Sequence, residues 1–245
     1  MGRKRAKRKE FGDYSGSNFG VSDNGSNEGI VNGMVYDKND WFDCLIAWDV
    51  DVTSKLAVCR NPSAPFGYWR PLMKLLELSG HGVPWFIWVA VMILSCRDVL
   101  LLELMTNLFM ALVVDIIFIT VLKGLIQRER PTHNDDDMFG TVSVDKYSFP
   151  SGHCTRAVAL GCFFLTQFNP SSTWCIATIL WVTAISLSRI FLGRHHVLDV
   201  LFGILFGFLQ YPVVMYCWLS REKCVQLFAT VHPWLLEYGE ARLDI

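Results

Sequence analysis

Apolar residues in this chain arrive in long blocks separated by polar interruptions. The blocks run over residues 82–96, 104–122, 157–168, 174–187 and 200–219. A bilayer core of roughly 30 Å is crossed by about 20 helical residues, so the blocks predict membrane-crossing helices. The first reaches length only with its flanks, and the third, bracketed by Arg156 and Gln167, is the weakest alone. Lipid satisfies no backbone group, which leaves helices or closed barrels, and runs this long argue helices. Trp and Tyr near several block ends suit the interfacial belts of membrane proteins. Upstream, residues 38–76 alternate aromatic and charged positions, with Trp41, Phe42, Leu45, Ile46 and Trp48, then Tyr68, Trp69, Leu72 and Leu75. These read as short amphipathic helices at the membrane surface, a soluble helical preamble being the alternative.

The expected fold is therefore all-α: a polytopic membrane helical bundle of about five or six transmembrane helices, with amphipathic interfacial N-terminal helices. Residues 1–34 are expected to be a disordered basic tail, 35–75 the interfacial helices, 76–222 the membrane-embedded core and 223–245 a C-terminal tail. No internal repeat is evident.

Composition sharpens this picture. Hydrophobic residues make up 52% of the chain and charged residues 18%, which suits a membrane protein. The net charge of −1 hides the basic opening Arg3, Lys4, Arg5, Lys7, Arg8 and Lys9. A broad basic face for nucleic acid is not expected elsewhere, although the tail itself could touch RNA or anionic lipid or act as a sorting signal. That opening runs into Gly, Ser and Asn, so no secretory signal is expected, and Met1-Gly2-Arg3-Lys4-Arg5-Ala6 lacks the Ser or Thr of a myristoylation site. The 8 cysteines form no CxxC pair and no zinc-finger spacing with histidine. Several sit in apolar runs, where cysteine acts as a small hydrophobe.

Candidate chemistry lies in the two polar stretches, residues 123–150 and 188–199, which emerge on one face if the helices alternate direction. Three motifs occupy them: Lys123-x6-Arg130-Pro131, Pro150-Ser151-Gly152-His153, and Ser188-Arg189-x5-His195-x3-Asp199. Lys123, Arg130 and Arg189 are fixed cations of the kind that stabilise charge spread over phosphoryl oxygens. Ser151 and Gly152 open a helical run, where backbone N–H groups can point at an anion. His195 and Asp199 stand four apart, hence on one helical face, so Asp199 can accept from one imidazole nitrogen and leave the other to attack. Position alone does not separate the roles of His153 and His195.

The order, spacing and membrane setting of these motifs resemble the type-2 phosphatidic acid phosphatase superfamily, over roughly residues 70–220. The resemblance implies a lipid phosphatase that works through a phosphohistidine on His195. Asp199 would orient that histidine, and His153 would protonate the leaving oxygen and then activate water. Lys123, Arg130, Ser151, Gly152 and Arg189 would bind phosphate. No metal or other cofactor is implied, and Asp135, Asp136 and Asp137 are expected to be solvated loop carboxylates. Arg128, Lys146 and Arg194 are expected to be solvated charges within reach of a second phosphate, and His196 a bystander. Asp115, costly inside an apolar run, is expected to pair within the bundle.

Four further stretches narrow the likeness, among them Asp137-Met138-Phe139 and Gly193-Arg194-His195. Ser143 to His153, reading Ser-Val-Asp-Lys-Tyr-Ser-Phe-Pro-Ser-Gly-His, and Arg70-Pro71-Leu72-Met73-Lys74-Leu75-Leu76-Glu77 are similar to the animal polyisoprenoid (presqualene) diphosphate phosphatase branch. That likeness implies presqualene, farnesyl and geranylgeranyl diphosphates as substrates, phosphatidate-type lipids as poorer ones, and residence in the endoplasmic reticulum and nuclear envelope. Alternatives are a catalytically silent interaction protein of those membranes, or a phosphatidate or sphingosine-phosphate phosphatase; a haloperoxidase would suit a soluble setting. The partners expected are the lipid substrate and the membrane, without nucleic acid. The positive-inside preference keeps the basic tail cytosolic and brings the site to that side, unless residues 38–76 hide a further crossing.

Overall fold

The computed structural model describes residues 27–131 and 146–232. It opens with a small hairpin, β1 (Glu28–Val31) and β2 (Met34–Asp37), paired antiparallel. Helices α1 (Trp41–Leu56), α2 (Arg70–Ser79), α3 (Gly82–Ser95), α4 (Val99–Ile126), α5 (Gly152–Gln167), α6 (Ser172–Phe191), α7 (Val197–Tyr216) and α8 (Arg221–Phe228) follow. The hairpin straddles the boundary expected at residue 34. Asn32 and Gly33 take φ of 48° and 78°, the left-handed pair that closes a two-residue hairpin. At the other end α8 overruns the expected tail start at 223 and packs on α4.

Each apolar block becomes a helix, and the polar interruptions become caps. Asp98 accepts from the Leu100 N–H to start α4, and Gln127, at φ 49°, ends it in the left-handed conformation. Along α4, Leu102, Met105, Leu108, Leu112, Asp115, Ile119 and Lys123 are buried at three- and four-residue spacing. Its other face exposes Leu100, Phe109, Ile116, Ile117, Val121 and Leu125. Similar outward stripes occur on α3 (Val83, Ile87, Val91, Leu94) and α7 (Leu201, Leu205, Phe208, Leu209, Val213). Apolar surface of this extent on several helices is untenable in water and suits lipid. The chain is an integral membrane protein.

Three helices, α4, α6 and α7, are long and apolar enough to cross a bilayer, and α2 with α3, bent by 45° at their break, form a fourth candidate span. The expected crossings at 82–96 and 157–168 thus fall on helices of 14 and 16 residues. Alone, both are shorter than the ~17 residues a span takes. Helix α5 is instead the innermost element, buried from Cys154 to Gly161 and packed by α4, α6 and α7. The main core joins α3, α4 and α5 through Val89, Ile93, Leu102, Met105, Leu108, Leu112, Leu160 and Phe163. The expected pairing of Asp115 occurs inside it: Arg156 lies 2.8 Å from one carboxylate oxygen, and the Thr155 hydroxyl donates to the other at 2.8 Å.

Helix α1 is amphipathic in an inverted sense. Trp41, Phe42, Leu45 and Trp48 are exposed, while Asp49 and Thr53 are buried against α7. A helix in water would turn the other way, so an apolar surrounding suits this one.

Gly203 and Gly207 set how close α7 comes to α5. A Cβ on Gly203 would lie 2.9 Å from the Ser151 carbonyl oxygen, and one on Gly207 would meet Val158 Cβ at 2.6 Å and the Thr155 carbonyl oxygen at 2.7 Å. Small residues four apart permit this backbone approach. Replacing Gly207 by Val is expected to destabilise the bundle by about 1–3 kcal/mol or more, the usual cost of overpacking. A thermal melt in detergent against Gly124→Val, where no atom lies within 4 Å of a built Cβ, checks this.

Candidate active site

The three motifs converge. Lys123 sits in the last turn of α4; Arg128 and Arg130 follow in the loop beyond Gln127. Ser151 is the N-cap of α5, Gly152 and His153 are its first residues, and Arg189 lies in the last turn of α6. Gly193, at φ 68°, turns the chain out of α6 so that Arg194 and His195 face inward before His196 caps α7. Lys123, Arg189, Arg194 and His195 are each no more than 2% exposed. Four such side chains sealed among apolar helices are too costly for mere anchors.

The His195 ring is fixed by a backbone group. Nδ1 stands 2.8 Å from the Ser148 carbonyl oxygen. A carbonyl only accepts, so Nδ1 carries the proton and the neutral ring keeps its lone pair on Nε2. Ser148 is itself held by its hydroxyl donating to the Glu129 carbonyl at 2.8 Å and its N–H donating to the Arg128 carbonyl at 2.8 Å. Burial first, then the cations Arg130, Lys123 and Arg189, push the His195 imidazole well below its usual value, against the bond to Ser148. The ring therefore stays neutral at neutral pH.

Asp199 differs from expectation. Its Oδ2 is 3.9 Å from His195 Nδ1, too far for a hydrogen bond, and instead accepts the His196 N–H at 2.8 Å. Its Oδ1 binds Arg128 at 2.7 Å. The oxygen that orients His195 belongs to Ser148, a residue that sequence reasoning gave no role. Asp199 acts beside the ring as a charge and as a cap.

The backbone pair expected at Ser151 and Gly152 also changes. The Ser151 N–H donates to the Asp199 carbonyl at 3.0 Å and so ties α5 to α7, leaving the Gly152 N–H as the donor that opens the helix. His153 projects from the same turn; its Nε2 is buried without a hydrogen-bond partner, and its ring centroid lies 5.9 Å from that of His81. An unsatisfied buried nitrogen beside a cluster of cations is a position for a ligand atom.

Two charges expected to be solvated are structural members of the site. Arg128 bridges Asp199 and, at 2.6 Å, the Asp49 carboxylate. Arg194 is 1% exposed, 3.6 Å from Glu77, and its carbonyl accepts from Arg130 at 3.2 Å. Lys146 is exposed, as expected. Glu77 also binds Arg189 at 2.8 Å. Neither Asp49 nor Glu77 was singled out as a site residue, though Glu77 closes a stretch that carries the branch likeness. The signal available for Asp49 was a carboxylate one turn from Thr53 amid aromatic residues. His196, expected to be a bystander, is buried and bonded to the Glu129 backbone. Asp135, Asp136 and Asp137 lie outside the described residues.

A buried cluster of cations around a histidine whose Nε2 carries a lone pair can hold a tetrahedral oxyanion. Residues 104–223, which hold all three motifs, match the PAP2 superfamily model. The chain carries a PAP2 superfamily domain. Over 126 residues it is 32% identical to a protein of Arabidopsis thaliana named probable lipid phosphate phosphatase beta, covering 41% of this chain and 59% of that one. It is 29% identical over 144 residues to the lipid A 4'-phosphatase of Porphyromonas gingivalis, covering 55% and 59%. The chain thus spans less than two thirds of either relative. Among solved structures, LpxE of Aquifex aeolicus superposes with a TM-score of 0.52 at 19% identity, over 68% of this chain and 94% of that one, a likeness of fold. The PAP2 match begins inside α4, so the carboxylates of α1 and α2 reach the domain's site from outside the matched segment.

Burial, then Arg128, holds the His196 imidazole down at about 3, against its bond to Glu129. Its unfolded value is near 6.5. Between those values the unfolded chain binds a proton that the folded chain refuses, so stability is full above about pH 6.5 and falls as pH drops, by up to ~1.4 kcal/mol per pH unit for this group. His196→Gln is expected to flatten the decline in melting temperature between pH 7.5 and pH 5 relative to wild type.

Proposed function

We propose that the protein is a membrane lipid phosphatase that transfers the phosphoryl group of a lipid phosphate to His195 and then to water, without a metal or other cofactor. The observation that carries this reading is the neutral His195, its Nδ1 proton engaged by Ser148 and its surroundings filled by Lys123, Arg130 and Arg189. In the first step the Nε2–P bond forms as the bond from phosphorus to the leaving oxygen breaks, and that oxygen takes a proton from His153. In the second, His153 receives a proton from the attacking water, the O–P bond forms and the Nε2–P bond breaks, releasing phosphate. Lys123, Arg130, Arg189 and the Gly152 N–H stabilise the three equatorial oxygens, whose charge is greatest at the transition state. Asp199 favours the positive ring of the phosphohistidine. Ser151 holds α5 against α7, so that both histidines stay in register.

The substrate class proposed is a polyisoprenoid diphosphate (presqualene, farnesyl or geranylgeranyl), acted on in the endoplasmic reticulum and nuclear envelope. The likeness of Ser143 to His153 and of Arg70 to Glu77 to that branch supports this. Arg128 adds no support, because Asp49 and Asp199 occupy it.

Purified protein is expected to release phosphate from farnesyl diphosphate with higher kcat/KM than from phosphatidate, in the presence of EDTA. His195→Ala, still folded, is expected to release none, and His153→Ala to lose about 10²–10⁴ in kcat, the usual share of an acid–base group. Faster turnover of phosphatidate would return the substrate to the broader class. Activity of the His195→Ala protein would end the mechanism.

Because the His195 ring is held neutral, the acid limb of kcat/KM assigned to it is expected well below pH 6.5. A pH–rate profile from pH 4 to 8 measures that limb. A limb near pH 6.5 that persists in His153→Ala and with substrates of different phosphate pKa would contradict the neutral His195.

A further inference from the structure

We infer that Asp49 of α1 is a positioning residue of the catalytic centre, acting through Arg128 and Asp199 on His195, so that α1 is a working part of the site. The inference rests on the phosphatase reading for its kinetic arm only.

Asp49 is fully buried, on a helix whose aromatic residues face outward. A buried carboxylate is stable only when its oxygens are engaged, and both are. Oδ2 lies 2.6 Å from one terminal nitrogen of Arg128, and Oδ1 accepts the Leu198 N–H at 2.9 Å. One turn along, the Thr53 hydroxyl accepts the Val197 N–H at 3.1 Å. Asp199 accepts the His196 N–H at 2.8 Å. Three successive N–H groups at the start of α7 therefore each find a side-chain oxygen, two of them supplied by α1. Helix starts need such acceptors, but here they come from a different helix, and the turn they fix begins at the residue after His195.

The second link is electrostatic. The other terminal nitrogen of Arg128 lies 2.7 Å from Asp199 Oδ1, so one guanidinium joins two carboxylates. The trio carries one net negative charge next to His195. Without Asp49, Arg128 would cancel Asp199 and the ring would lose that field. The other charged groups facing His195 are Lys123 from α4, Arg130 from the loop after it, His153 from α5 and Arg189 from α6. Glu77 of α2 faces Arg189 and Arg194. Apart from His153 and that paired Glu77, these are cations, so the negative trio is the counterweight that lets His195 become positive when it is phosphorylated.

The two ends of the trio predict opposite effects. Asp49→Asn keeps the acceptor for Leu198 and removes one negative charge, so His195 should become harder to protonate. Arg128→Gln removes a cation, so His195 should become easier to protonate. Histidine-labelled full-length protein in nanodiscs, with the His195 signal assigned by its loss in His195→Ala, gives that titration by NMR without any turnover. We expect the His195 midpoint to move down in Asp49→Asn and up in Arg128→Gln. In the kinetic arm, Asp49→Asn should lower kcat by about 10- to 100-fold, by analogy with the outer partners that orient metal-ligating histidines, with KM little changed. Asp51→Asn is the control on the same helix, because Asp51 pairs outward with Lys55; it should match wild type in both arms. A merely structural Asp49 would lower the melting temperature but leave the His195 midpoint in place. An unmoved midpoint in both variants overturns the inference. A wild-type protein that releases no phosphate would sink the phosphatase reading alone, leaving the titration to decide the role of Asp49. Should Asp49→Asn fail to fold, Arg128→Gln decides: a midpoint that stays or falls there also overturns it.

Discussion

Everything near the site depends on keeping buried cations paired. Lys123, Arg189 and Arg194 sit at the inner edges of apolar helices, nearly sealed from solvent. An unpaired charge there would cost several kcal/mol. Glu77 on α2 relieves that cost for Arg189 and Arg194, and Asp49 with Asp199 does so for Arg128. The N-terminal helices are held against the bundle because they carry those carboxylates. Their outward aromatic faces and inward acids follow from the same requirement, since the site, unlike the surroundings of the helices, is polar.

This pairing also shapes what an anion would meet. Glu77 shares two arginines without matching every donor they carry, and the His153 Nε2 nitrogen has no partner at all. An arriving phosphate would add to a partly neutralised cluster and would not face the full repulsion of bare cations for one another. The cations are preorganised, which is how fixed charges stabilise a transition state without reorganisation.

Much of this was legible in the sequence. Five apolar blocks became α3 to α7, and the three motifs named residues that the fold gathers. The blocks were legible because lipid imposes length and continuity. What was missed follows from the opposite condition. The hairpin at Glu28–Val31 and Met34–Asp37 turns on Asn32-Gly33, a local signal overlooked inside a polar stretch. Asp49 and Arg128 become partners across 79 positions, a separation that no local pattern spans. The acceptor for His195 is the main-chain carbonyl of Ser148, and a carbonyl has no residue identity to read. Helix α5 looked like a weak span because its composition is mixed; it is mixed because it lies inside the bundle, touching protein on most sides and lipid on few.

The close seat of α7 on α5 has a mechanical meaning. His153 begins one helix, His195 lies just before the other, and the Ser151 N–H bonded to the Asp199 carbonyl at 3.0 Å locks the two starts together. With Gly203 and Gly207 bringing the backbones into contact, the two histidines stand at the joined starts of two close-packed helices. The distance between the two histidines is thus set by helix packing, as a gap between two beams is set by the bolts that join their ends.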